Sequence, residues 1–144
     1  MSLGRPKRPT LLIAALAITA LATAGYWTAF FTAGSVQVRG DPTYLAFERA
    51  FPLADAWMAA CAAAGALGLA RDRPWGFLFG LLAAGSLVYL GCLDVLFNIN
   101  AGNYAIAGGA MAVETVINGW SIVAGAWLIH ALWRRRDALI KPGV

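Results

Sequence analysis

Four long apolar runs, separated by short polar segments, dominate the chain. Leu11 to Phe31 holds no charged residue, Phe51 to Ala70 only Asp55, and Trp75 to Phe97 only Asp94. The fourth run starts between Ala105 and Met111, ends near Trp133 and is interrupted by Glu114. A membrane-spanning helix needs about 20 mostly apolar residues. The pattern therefore predicts an all-α, integral membrane four-helix bundle, with transmembrane helices over approximately 11–32, 51–70, 75–97 and 108–133 in a single domain of residues 1–144. Pro52 and Pro74 stand where first helical turns would begin, a position that has no use for the missing N–H. Asp72 is expected to cap the helix that follows it. Gly40-Asp41-Pro42 is a turn signal, and Tyr44 to Ala50 reads as a short amphipathic helix. The first run follows Arg5, Lys7 and Arg8 as a signal peptide would, and Ala22-Thr23-Ala24 resembles a cleavage site. It exceeds the roughly 7–15 residues of a signal-peptide core, so it is read as a span.

Composition strengthens this picture. Hydrophobic residues make up 60% of the chain and charged residues 12%, against about 25% charged in soluble domains. Of the 11 Lys and Arg, Arg39 and Arg49 fall on one side of the predicted bundle and the other nine fall on the other. The positive-inside rule then puts both termini in the cytoplasm, in a multi-pass protein of the plasma (inner) membrane. The wealth of Ala and Gly associates with a bacterial source. The net charge of +4 lies in flanks of apolar runs with no aromatic-interleaved basic patch. Membrane lipids are thus the expected partner and nucleic acid is not. Gly76, Gly80 and Ala84 form a small-residue row suited to close helix contact, within one chain, in a homo-oligomer or in a larger membrane complex. Cys61 and Cys92 lie on different faces and depths with no CxxC motif, so they read as packing residues. His130 reads as an interfacial side chain near the basic end. No cofactor motif is evident.

The acids carry the candidate chemistry. Asp72 and Asp137 have basic neighbours, and Asp41 lies in a loop. The remaining four, Glu48, Asp55, Asp94 and Glu114, all fall in the outer half or at the outer rim of the predicted bundle. Asp94 and Asn98 share a helix face, and Glu114 and Asn118 repeat that spacing. Glu48 and Asp55 share a face if the second helix begins early. Small residues line the same stripes: Ala59 and Ala62 below Asp55, Gly91 and Ala84 below Asp94, Ser121 and Gly125 below Glu114. Small stripes face other helices, so these acids are expected to point into one outward-opening pocket. A carboxylate within a membrane costs about 2.5–3.5 kcal/mol even on lenient scales, which calls for a reason. Access to interfacial water, or pairing with Arg39 or Arg49, would be the structural reason.

The functional reason would be binding or translocation of a small cation, a proton or a polar ligand. Asp55, Asp94, Glu114 and Glu48 would supply charge, and Asn98 and Asn118 would orient the ligand. If a metal is held, Asp94, Glu114 and Asp55 are its expected ligands, and all-oxygen donors favour a hard ion such as Mg²⁺, Ca²⁺ or Mn²⁺. Two other classes fit the same residues. One is a membrane-embedded enzyme acting on a lipid-soluble substrate with paired carboxylates as acid and base. The other is an accessory subunit whose acids pair with charges on a partner.

Overall fold

A computed structural model describes residues 9–140. Among them every regular element is helical: α1 (Thr10–Thr32), α2 (Pro42–Glu48), α3 (Pro52–Ala70), α4 (Trp75–Asn100), a 3-10 turn (Asn103–Ala105), α5 (Gly109–Arg134) and α6 (Arg136–Ile140). Four segments are long and apolar enough to cross a membrane: α1, α2 with α3, α4, and α5. The loops between them sort by chemistry. One end of the bundle carries α2, the 3-10 turn and the acids. The other carries Arg71, Arg73 and Arg134 to Arg136.

Local chemistry sets the helix ends near the acids. Pro42 opens α2, and the Asp41 side chain accepts a hydrogen bond from the Tyr44 N–H at 3.1 Å. That bond, assisted by the Arg39 guanidinium 2.7 Å from the carboxylate, holds Asp41 below the usual carboxylate range. α2 and α3 would be one helix but for Pro52. Its ring nitrogen has no hydrogen to offer the Glu48 carbonyl, which instead accepts from the Phe51 N–H at 3.1 Å, and the helix axis breaks there.

Asp72 departs from the sequence expectation. It does not cap α4, whose N-cap is Pro74 with no side-chain bond. It sits just past the end of α3 at φ +52°. The Arg73 N–H reaches the Gly68 carbonyl at 2.8 Å and the Asp72 N–H reaches that of Leu69 at 3.3 Å. This is the Schellman closure of a helix C-terminus, whose left-handed residue is usually Gly or Asn. Aspartate tolerates that conformation better than most side chains.

The helices pack in chain order: α1 on α3, α3 on α4, α4 on α5. Close approach depends on glycine. A Cβ at Gly68 would lie 2.5 Å from the Cα of Gly76, and one at Gly65 would lie 2.9 Å from the Gly80 nitrogen. On the other face of α4, a Cβ at Gly91 would lie 2.8 Å from the Ser121 Cβ, and one at Gly125 would lie 3.1 Å from the Ala84 carbonyl. The small-residue rows are thus consumed within the chain. Leu16, Ala62, Ala84, Leu128 and Leu132 fill the centre and are fully buried. α1 and α5 close the circuit only loosely. Cys61 is buried, Cys92 is exposed, and both are free thiols.

Candidate functional site

Three elements each deliver one carboxylate to the same point. Glu48 comes from the last turn of α2, Asp94 from α4 and Glu114 from α5, and one oxygen of each lies within 4.8 Å of the others. Glu48 and Glu114 are buried and Asp94 is half-buried. Neutral donors surround them. Asn98 Nδ2 donates to Glu114 Oε1 at 2.7 Å and lies 3.3 Å from Asp94 Oδ1. The Tyr44 hydroxyl donates to Glu114 Oε2 and the Tyr26 hydroxyl to Glu48 Oε2, both at 3.4 Å. Asn98 is itself oriented by Asn103, whose Nδ2 donates to Asn98 Oδ1 at 2.8 Å. Asn103 Oδ1 accepts from Arg39 at 3.3 Å. This chain of amides carries a link from an exposed arginine to a buried carboxylate.

No countercharge accompanies the group. Among the described residues the ion pairs are Arg39 with Asp41 and Arg136 with Asp137, and none involves Glu48, Asp55, Asp94 or Glu114. Arg49 is exposed. Two buried acceptors also lack donors: Glu48 Oε1 and Asn118 Oδ1. Asn118 is 3% exposed and lines the same cavity as the acids, with its Nδ2 donating to the Tyr104 hydroxyl at 2.9 Å. Burial raises the Tyr104 phenol above its ordinary value.

The sequence pattern named Glu48, Asp55, Asp94, Glu114, Asn98 and Asn118. Glu48, Asp94, Glu114 and Asn98 meet directly, and Asn118 lines the wall beside them. Asp55 stands apart. It is outside the 4.8 Å group and accepts a 2.8 Å bond from Trp27 Nε1. In a three-acid cluster Glu48 thus occupies the place that the spacing suggested for Asp55. The break at Pro52 explains the exchange, because it turns Glu48 inward independently of the face that Asp55 occupies. The sequence marks Tyr26 first as a boundary anchor and only second as a pocket wall, and it does not mark Tyr44 or Asn103 as site residues. Tyr44 was legible in part, lying four residues before Glu48 on one helix face. Asn103 depends on a turn in which Gly102 takes φ +68°, and no local pattern points to it.

The acids form the polar end of a cavity of about 280 Å³. Its body is apolar, walled by Met58, Leu87, Leu90 and Ile117. The loop end above the acids is roofed by Tyr44, Asn98 and Asn103, each at most 1% exposed. The open side lies between α1 and α5. Ile18 on α1 and Val116 on α5 line the cavity while 53% and 71% exposed, and Trp120 stands beside them at 38%. Trp120 Nε1 donates to Thr19 Oγ1 at 3.0 Å across this gap. Past the tryptophan, an apolar groove continues along the same seam to Val123 and Trp127. No protein-family model, curated protein or solved structure matches the chain.

Proposed function

We propose that the protein binds a small positively charged ligand at the Glu48–Asp94–Glu114 group, in the half of the membrane facing away from the cytoplasm. One observation carries this reading. Three carboxylates from three separate helices converge within 4.8 Å with no ion-pair partner among the described residues. Uncompensated like charges in a low-dielectric setting repel strongly, and a cation at their centre reverses the sign of that interaction. Asn98 positions Glu114. The unpartnered Oδ1 of Asn118 offers a neutral oxygen next to the acids. Asp55, held by Trp27, lines the same cavity outside the three-carboxylate group and adds negative potential from the side. Oxygen donors alone suit a hard metal ion or an ammonium group and offer little to soft metals.

Thermal unfolding in detergent tests the reading. Wild type and an Asp94→Asn, Glu114→Gln double variant are compared against Na⁺, Mg²⁺, Ca²⁺, Mn²⁺ and organic ammonium ions. A ligand at 100 times its Kd stabilises the folded state by about 2.7 kcal/mol. At least one cation is expected to raise the wild-type midpoint in a saturable way and leave the variant's unchanged. A panel in which every cation shifts both proteins equally, or neither, would rule the binding site out.

A second reading draws on the sideways opening of the cavity. A lipid-soluble substrate could reach the carboxylates from the bilayer, with two of them serving as acid and base. Its signature would be turnover of such a substrate that is lost in Glu114→Gln while stability is kept.

A further inference from the structure

The shape of the cavity narrows the ligand class, on the premise that positive charge binds at the carboxylate group. We propose that the natural ligand is a lipid-soluble amine, entering sideways from the bilayer between α1 and α5, with its ammonium among Glu48, Asp94 and Glu114 and its hydrocarbon along the apolar body of the cavity.

Four observations converge on this class. First, the carboxylates cluster at one end, and the rest of the wall is mainly apolar, with the hydroxyls of Thr19, Thr23 and Ser121 as its polar exceptions. An inorganic ion would leave that apolar volume unused. Second, the buried acceptors Glu48 Oε1 and Asn118 Oδ1 lack donors and line this cavity, and an ammonium group brings three N–H donors with its charge. Third, the roof formed by Tyr44, Asn98 and Asn103 closes the aqueous end. The exposed wall residues Ile18 and Val116 face where acyl chains would lie. A ligand that partitions into the bilayer meets the opening directly. Fourth, the volume sets the size. About 280 Å³ is room for a short hydrocarbon chain together with its headgroup. An unbranched eight-carbon primary amine has that size and the required polarity at one end only.

The gate is the indole of Trp120. Its bond to Thr19 joins α1 to α5 at the cavity rim. Rotation of one side chain would widen the opening without moving a helix.

The test uses the full chain in lipid nanodiscs, with octylamine as probe. Octanol is the uncharged match, methylammonium the match without a tail, and Mg²⁺, Ca²⁺ and Mn²⁺ are the inorganic comparison. Octylamine is expected to raise the unfolding midpoint saturably by at least about 4 °C. Octanol and methylammonium should each do far less. The octylamine shift should vanish in Glu48→Gln, Glu114→Gln and shrink in Ala22→Phe, which fills the opening from α1 and leaves the carboxylates intact. Should methylammonium or a divalent ion match octylamine, the amine-with-tail assignment falls and the cation site stands. If no cation acts in a carboxylate-dependent way, both fall. If either variant does not fold, the wild-type ranking of octylamine over octanol and methylammonium decides alone.

Discussion

At the scale of single residues, Asn98 is the hub of the polar end. Its Nδ2 serves Glu114 and its Oδ1 receives Asn103, and the residue is fully buried. Asn98→Ala would strand a carboxylate oxygen and an amide together. A loss of about 2–4 kcal/mol follows, because unmade buried bonds cost more than made ones contribute. Asp55→Asn keeps an acceptor for Trp27 and is expected to change stability by less than about 1 kcal/mol. Denaturant titration in mixed micelles compares the two, and equal losses would refute the distinction. Asp41 governs a pH effect at α2. Its carboxyl is held below the ordinary range, so its capping contribution is complete above that range and is lost as pH falls through the depressed value. The protection of the Tyr44 amide against hydrogen exchange, taken relative to the intrinsic rate at each pH, should therefore fall at acid pH. Asp41→Asn, an equally good cap, should abolish that dependence. The sequence revealed these residues unevenly. Asp94, Asn98, Glu114 and Asn118 announced themselves by four-residue spacing within apolar runs. Tyr26 and Tyr44 looked like ordinary aromatic residues near a membrane boundary, because a phenol shows its partner only in three dimensions.

At the scale of elements, the interplay of proline and glycine sets the geometry. The four apolar helices were legible from run length alone, since hydrocarbon thickness fixes how many residues must be apolar. The separation of α2 from α3 was legible only as a turn followed by a helical stretch. The tertiary result, an inward Glu48, required knowing that the axis breaks at Pro52. The Asp72 expectation failed for a related reason. Helix-start and helix-stop signals overlap in a four-residue loop, and the closure of α3 claimed the aspartate first. Glycine makes a sharper prediction. Gly68→Ala places a methyl group 2.5 Å from the Gly76 Cα and 2.6 Å from its nitrogen, which should destabilise by about 1–3 kcal/mol through overpacking. Gly85→Ala meets nothing within 4 Å and should be neutral or stabilising by about 0.5–1 kcal/mol through helix propensity. The same denaturant titration ranks them, and a Gly68→Ala protein as stable as wild type would mean that α3 and α4 are less closely joined than they stand here.

At the scale of the whole molecule, the two ends differ in charge, and the charge bias predicts the cytoplasmic side. A reporter active only outside the cytoplasm, inserted at Gly40, should be active, and the same reporter fused after Val144 should be silent. The reverse result would place the carboxylates on the cytoplasmic half and redirect the search for a ligand. The sideways cavity was not legible in the sequence. Helical stripes tell which residues face inward, but not which pair of neighbouring helices fails to close. That failure has a mechanical meaning. The glycine contacts weld α3, α4 and α5 into a spine folded at α4, and α1 is bound to it through α3 like the cover of a book. The fore-edge is the seam crossed by Trp120 and Thr19. Any breathing of the molecule should occur along that edge, while the spine keeps its shape.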